Sequence, residues 1–255
     1  MAKIIAIVNQ KGGVGKTTTA VNTAYALADQ GKRVLLCDFD PQGNATSGLG
    51  LSKNTAPGSY DAVTHLQDPR AAVHNTRFCD VMPTGRNLSG AVIEFIPLPD
   101  REYRLKKALH ALRPEYDYIL IDCPPSLELL TLNALCAADS YLVPVQCEYY
   151  ALEGLADLQQ IVRMVRAGGM NAGLDIEGVL LTMFDSRTNL SVQVADNVKK
   201  YFPGKVYKTS IPRNVRLAEA PSHRMPVQAY DPASKGADSY NNLAGEIIRR
   251  NGVSA

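Results

Sequence analysis

The stretch Lys11-Gly12-Gly13-Val14-Gly15-Lys16-Thr17-Thr18 follows a short apolar run, Ile4 to Val8, and leads into a helical pattern that starts near Thr18. Strand, glycine-rich turn and helix in that order are the setting of a phosphate-binding loop. Glycine takes positive φ without steric penalty and lets backbone N–H groups approach an anion. The helix N-terminus behind it adds unpaired donors and partial positive charge. In such a loop Lys16 reaches the β- and γ-phosphates of a nucleoside triphosphate, and the Thr17 hydroxyl holds Mg²⁺. Gly12, Gly13, Val14, Gly15 and Thr18 supply the surrounding backbone. The stretch departs from the usual G-x-x-x-x-G-K-[ST] pattern in two places. Gln10 stands where the first glycine is expected, and Lys11 adds a second lysine.

Working outward, 255 residues suffice for one large α/β unit with a proper core. With 45% hydrophobic and 20% charged residues, composition is that of an ordinary globular chain. No apolar run approaches the ~18 residues that a membrane-spanning helix needs. Ile4 to Val8 is too short for the apolar region of a signal peptide, so a cytoplasmic protein is expected. Cys37, Cys79, Cys123, Cys136 and Cys147 are scattered and form no C-x-x-C pair, which reads as buried free thiols. His65, His74, His110 and His223 are isolated, and no metal-ligand role is assigned to them.

Net charge is only +2 but unevenly spread. Between Arg187 and Arg224 eight basic residues face only Asp196 and Glu219, about +6, leaving about −4 elsewhere. Such asymmetry marks either a nucleic-acid surface or a solvated face.

Residues 3–9 read as a buried strand, followed by the loop and a helix to about Gln30, with Gly31 beyond its end. Arg33 to Cys37 is a second strand, which delivers Asp38 and Asp40 at its carboxyl end before Pro41 and Gly43 break the chain. In open α/β sheets that edge binds ligands. Residues 45–100 are less decisive: Asp61 to Leu66 reads as a short helix and Cys79 to Met82 as a short strand. Glu102 to Leu112 is helical, with Tyr103, Leu109 and Leu112 inward. Tyr116 to Asp122 is a strand that ends on an aspartate and resembles a Walker B strand. Leu127 to Ala138 is an apolar helix, Tyr141 to Val145 a strand, and Leu152 to Arg166 an amphipathic helix. Gly178 to Phe184 is a strand, Asn189 to Phe202 a helix, Val206 to Ile211 strand-like, and Ala237 to Arg250 a terminal helix. The alternation predicts an α/β fold: one domain over residues 1–255, with a doubly wound, mostly parallel sheet flanked by helices on both faces.

Hydrolysis needs a metal shell and a positioned water besides the loop. Thr17 offers a metal-facing hydroxyl. Asp122 can hold Mg²⁺ directly or through water. Asp38 and Asp40 both remain candidates to orient the water, join the Mg²⁺ shell or cap the turn after them.

K-G-G-V-G-K-T-T resembles the deviant Walker A box of the ParA/MinD class of P-loop ATPases. N-Q-K-G-G-V-G-K-T-T, D-P-Q-G-N-A-T-S-G-L-G, Y-I-L-I-D-C-P-P-S, V-P-V-Q-C-E-Y-Y-A-L-E-G and I-P-R-N-V-R-L-A-E-A-P-S together are similar to the chromosomal ParA (Soj) branch, as is the C-terminal A-Y-D-P-A-S-K-G-A. Only residues 51–100 lack a recognisable motif.

The resemblance implies a slow Mg²⁺-dependent ATPase whose catalytic set is Lys11, Lys16 and Asp40. Lys11 reaches the nucleotide held by a second copy of the chain, so ATP closes a homodimer that ADP does not. Asp38 is left to the Mg²⁺ shell with Thr17 and Asp122. Pro212 and Asn214 cradle the adenine. Arg187 and Arg216 contact double-stranded DNA without sequence preference, joined by Lys199 and Lys200 and by some of Lys205 and Lys208. A ParB-type partner bound at a centromere-like site stimulates hydrolysis and releases the dimer, which is nucleoid-associated. No arginine finger in cis is evident, so turnover without the partner should be slow. With no further N-terminal segment to read bases, direct operator recognition is not expected.

Three rival readings stand beside this one. A MinD-like membrane ATPase needs a C-terminal amphipathic anchor, and Glu246 to Ala255 has too short an apolar face. An iron–sulfur ATPase of the nitrogenase reductase type would need Cys123 and Cys136 at a dimer axis. A nucleotide-gated scaffold would bind ATP without hydrolysing it.

Overall fold

The computed structural model describes residues 1–65, 68–148 and 151–252. Leu66, Tyr149, Tyr150 and Val253 to Ala255, which figure in the readings above, lie outside them. Seven strands form one sheet: β1 (Lys3–Ile7), β2 (Val34–Asp38), β3 (His74–Asn75), β4 (Asp80–Met82), β5 (Tyr118–Asp122), β6 (Ser140–Gln146) and β7 (Asp175–Thr182), in the order β3-β4-β2-β5-β1-β6-β7. All neighbours are parallel except β3 with β4. Parallel strands require crossovers, and the helices that make them cover both faces.

Strand residues alternate between two cores. Ile4, Ala6, Leu35, Cys37, Ile119 and Ile121 enter one; Ile5, Ile7, Val34, Leu36, Tyr118 and Leu120 enter the other. The second core is closed by α1 (Lys16–Asp29) and by the last helix, Lys235–Arg250. The Thr19 and Tyr240 hydroxyls share a hydrogen bond at 3.2 Å between these two helices. Gln30 caps the end of helix α1, and Gly31 follows at φ +79°, the left-handed turn expected of it.

The described residues between 44 and 112 include four α-helices: α2 (Asn44–Gly48), α3 (Ser59–Thr64), α4 (Leu88–Phe95) and α5 (Arg104–Leu112). Helix α4 buries Leu88, Ala91 and Phe95, a helical spacing that Ser89 and Gly90 obscure in the sequence. Helix α5 buries Leu109 and Leu112 as expected, while Tyr103 is only half-buried. Beyond β5 come α6 (Leu129–Ala137), α7 (Ala151–Ala167), α8 (Asn189–Tyr201), α9 (Val215–Glu219), α10 (Val227–Tyr230) and α11 (Lys235–Arg250).

One expected strand is not a ladder strand. Val206, at the start of the Val206 to Ile211 run, touches β7 through an isolated parallel bridge to Val179, and Pro212, just past the run, bridges Phe184 beyond the end of β7. The middle of the run is diverted because Glu246 of α11 accepts the Lys208 and Thr209 N–H groups at 3.0 and 3.1 Å. Strand β7 itself begins earlier than its apolar run, at Asp175, because Glu177 is buried against the Ser140 hydroxyl at 2.6 Å and the Asn251 amide at 2.8 Å.

Helix α11 turns Tyr240, Leu243, Ala244 and Ile247 into the core. Lifting that face onto a lipid surface would forfeit roughly 5 kcal/mol or more of apolar burial. No helix among the described residues is long and apolar enough to cross a membrane. All five cysteines are buried and free, Cys123 and Cys136 among them, so neither presents a thiol at the surface.

Candidate functional site

The carboxyl ends of β1, β2, β5 and β7 open on one edge of the sheet. The loop after β1 is anchored from three sides. The Asn9 amide donates to the Pro144 carbonyl in β6 at 2.8 Å. Gln10, the residue in place of glycine, donates to Asp157 of α7 at 2.6 Å. The Thr182 hydroxyl donates to the Val14 carbonyl at 2.8 Å. Gly13 and Gly15 have φ of +76° and +89°, which only glycine adopts freely. Gly15 is the cap residue of α1, which starts at Lys16 with no side chain capping its first N–H groups.

Lys16 is 7% exposed, and its ammonium donates to the Lys11 carbonyl at 3.0 Å. Burial lowers its pKa, opposed first by the charge of Asp122 and further by Asp40. The Lys11 side chain points elsewhere: its ammonium lies 3.3 Å from Glu148 of the same chain, and both side chains are well exposed. Lys11 is therefore available to an approaching surface at little energetic expense.

The three aspartates have different surroundings. Asp122 is fully buried, and neither carboxylate oxygen has a hydrogen-bond partner among the described residues. Burial first, and then the charge of Asp38, raise its pKa well above the carboxylate range. The Thr17 hydroxyl is near enough to oppose that rise without reaching hydrogen-bonding geometry. An unsatisfied buried carboxylate beside a hydroxyl is the donor set that a hard cation takes. No cluster of three or more His, Cys, Asp or Glu able to hold a metal occurs among the described residues. Mg²⁺ suits that scarcity, since it keeps waters and phosphate oxygens and uses few protein ligands.

Asp38 is also fully buried, and burial raises its pKa, but its oxygens are engaged. One accepts from the Thr46 N–H and hydroxyl, each at 2.7 Å, and the other from the Asp40 N–H at 3.3 Å. Asp40 is 7% exposed; one of its oxygens accepts from the Gln42 N–H at 3.0 Å. It lines a cavity of about 330 Å³ with Gly12, Gly13, Lys16, Thr17, Asn44 and Pro125. Of the three, Asp122 has the free lone pairs for a metal, and Asp40 faces the space where a phosphate chain fits.

A second cavity of about 220 Å³ adjoins the first, sharing Gly15, Thr18 and Met183. Ile211, Pro212, Asn214, Leu217 and Tyr240 line it, giving a mostly apolar slot. Pro212 and Asn214, expected at the adenine, lie on the wall of this cavity beside the loop after β1. Asn214 also caps α9, accepting from the Arg216 N–H at 2.8 Å. Met183 was missed by sequence reasoning. It holds φ +49° at the seam of the two cavities, an uncommon conformation for a residue with a Cβ. No sequence signal marks such a residue.

The basic residues are more neutralised than their local count suggests. Arg187 is 87% exposed but forms a two-point pair with Asp185, at 2.9 and 2.7 Å. Arg216 pairs with Glu219 at 2.8 Å and with Asp231 at 3.0 Å. Lys199 sits 3.7 Å from Asp196, and Lys205 3.0 Å from Asp175. Lys200 is exposed. Asp175, Asp185 and Asp231 lie just outside the basic stretch in sequence and fold back onto it. Arg213 stands near Asp185, the partner of Arg187, and lines the second cavity.

Residues 2–176 match the family model described as "AAA domain". The chain is 59% identical over 250 residues to the sporulation initiation inhibitor protein Soj of Bacillus subtilis, covering 97% of this chain and 98% of that one. It is 51% identical over 253 residues to the chromosome partitioning protein ParA of Myxococcus xanthus, covering 98% and 89%. Among solved structures, the cobyrinic acid a,c-diamide synthase of Mycobacterium smegmatis with bound ATP analogue and magnesium superposes with a TM-score of 0.88. That match is at 36% identity and covers 99% of this chain and 96% of that one.

Proposed function

The chain belongs to the Soj/ParA family of chromosome-partitioning ATPases, and from that premise we propose that it hydrolyses ATP as a homodimer gating attachment to DNA. The observation that carries the reading is the pair of joined cavities, with Lys16, Thr17 and Asp40 in one and Pro212 and Asn214 in the other. Gly12 to Thr18 hold the phosphates and the slot at Pro212 holds adenine. Lys16 neutralises the β- and γ-oxygens. Thr17 and Asp122 would hold Mg²⁺, which would supply neutralisation of the charge that develops during transfer. Asp40 orients the attacking water. Lys11 exchanges its exposed pairing with Glu148 for the γ-phosphate of the facing copy, so that ATP and ADP support the dimer unequally. The amidation named for the Mycobacterium smegmatis structure is not carried over, because identity to Soj is far higher, 59% against 36%.

Arg187 and Arg216, with Lys199 and Lys200, bind the DNA backbone as phosphate contacts without base readout. A ParB-type partner stimulates hydrolysis, and ADP release from the opened dimer resets the cycle on the nucleoid. Each arginine has to trade a carboxylate for a phosphate. Arg216→Ala should weaken DNA binding about uniformly across sequences. It should lower the slope of log K against log[salt] by about one and leave ATP binding intact. Fluorescence anisotropy with labelled duplexes across a salt series reads both; parental affinity and slope in the variant would remove Arg216 from the interface.

A further inference from the structure

Asp38 stands where a metal ligand or a base is expected, yet its carboxylate is committed inside the protein. Its two bonds from Thr46, one from the amide and one from the hydroxyl, meet at a single oxygen at 2.7 Å. The same Thr46 hydroxyl accepts from the Thr84 N–H at 2.9 Å. Thr46 and Asp38 are fully buried. The Ser59 hydroxyl donates to the Asp38 carbonyl at 2.6 Å, fixing the strand end from the other side. One hydroxyl thus ties the segment after β2 to the segment after β4. Between its ends the turn from Asp40 to Asn44 has little freedom. A Cβ on Gly43 would stand 2.9 Å from the Thr84 carbonyl, and Gly43 has φ +62°. The remaining Asp38 oxygen takes the Asp40 N–H at 3.3 Å, so the backbone that carries Asp40 hangs from the same carboxylate.

From this geometry we infer that Thr46 is a positioning residue for ATP hydrolysis. Through Asp38 it sets the direction in which Asp40 presents its free oxygen to the phosphate cavity. The inference rests on the reading that Asp40 orients the water. It assigns Asp38 to holding the loop and leaves the metal to Thr17 and Asp122. Thr46 is fully buried and lines neither cavity. Loss of its hydroxyl therefore shifts a reacting group without removing one, and a displacement of about 1 Å at a reacting centre costs on the order of a hundredfold in rate.

The test compares Thr46→Val, which keeps shape and amide but lacks the hydroxyl, with Thr46→Ser, which restores it. Steady-state ATPase activity gives kcat and KM; titration of a fluorescent ATP analogue at varied Mg²⁺ gives binding and its metal requirement. We expect Thr46→Val to lower kcat by at least about tenfold, with KM, analogue affinity and Mg²⁺ requirement as in the parent. Thr46→Ser should stay within about twofold of parental kcat. Should Thr46→Val not fold, Thr46→Cys, a bulk-conserving weak donor, should show the same fall in kcat at unchanged KM. Parental kcat in the folded hydroxyl-free variant, or a Thr46→Ser enzyme as slow as Thr46→Val, would overturn the inference. A raised Mg²⁺ requirement would overturn it too, in favour of Asp38 as a metal ligand. Asp40→Ala is measured alongside: undiminished turnover there removes the underlying reading and the inference with it. A slow Asp40→Ala with a fully active Thr46→Val removes the inference alone.

Discussion

Lys16→Ala should lose nucleotide binding, with affinity for an ATP analogue falling by at least about a hundredfold. Lys16 is the cation enclosed by the loop; its ammonium now rests on the Lys11 carbonyl and can swing to two phosphate oxygens. Each charge-assisted bond is worth about 1.5–3 kcal/mol, so losing two exceeds the 2.7 kcal/mol that a hundredfold represents. The charge also balances the buried Asp122, whose ionised form Lys16 favours. Removing it leaves that carboxylate without its neighbouring cation, so thermal unfolding has to be followed as well. Lys16→Gln retains most of the volume and separates loss of charge from loss of packing. Calorimetric titration with a non-hydrolysable analogue reads the effect; near-parental affinity in a folded Lys16→Gln protein would contradict the placement of the phosphates.

Asp40→Ala should retain ATP and DNA binding while kcat falls by about 10²–10⁴-fold, the usual contribution of a positioned acid–base group. Its structural share is small: one bond to the Gln42 N–H at 3.0 Å, which Asp40→Asn preserves through its amide oxygen. The asparagine variant is therefore the sharper probe. If Asp40 only shaped the turn, Asp40→Asn would turn over normally. If it orients water, the variant should be nearly as slow as Asp40→Ala and should accumulate ATP-bound, DNA-bound protein. A phosphate-release assay under saturating ATP distinguishes the two.

The loop, the strands that feed it and the two-faced sheet were legible because their signals are local. Ile4 to Val8, Arg33 to Cys37 and Tyr116 to Asp122 are short apolar runs, and β1, β2 and β5 fall on them, with Gly13, Gly15 and Gly31 in left-handed conformations between them. What was not legible depends on neighbours distant in sequence. Asp38 and Asp40 look alike in the chain; the Thr46 amide and hydroxyl, the latter held by the Thr84 N–H from the segment after β4, separate a pinned carboxylate from one that faces the cavity. The basic stretch from Arg187 to Arg224 looked opposed by Asp196 and Glu219 alone because Asp175, Asp185 and Asp231, which pair with it, lie outside its ends. The Val206 to Ile211 run has strand composition, but Glu246 takes the amides a ladder would need. Gln10 appeared as a missing glycine. In the fold its side chain fastens the loop to α7, which a glycine would not do.

The central claim is that ATP, held in the joined cavities, controls attachment to DNA. Its most direct test is the affinity for a duplex of arbitrary sequence with no nucleotide, ADP, ATP and a non-hydrolysable analogue, at one fixed salt concentration. The account predicts tight binding with ATP and the analogue and weak binding without nucleotide or with ADP. Equal affinity in all four states would contradict it.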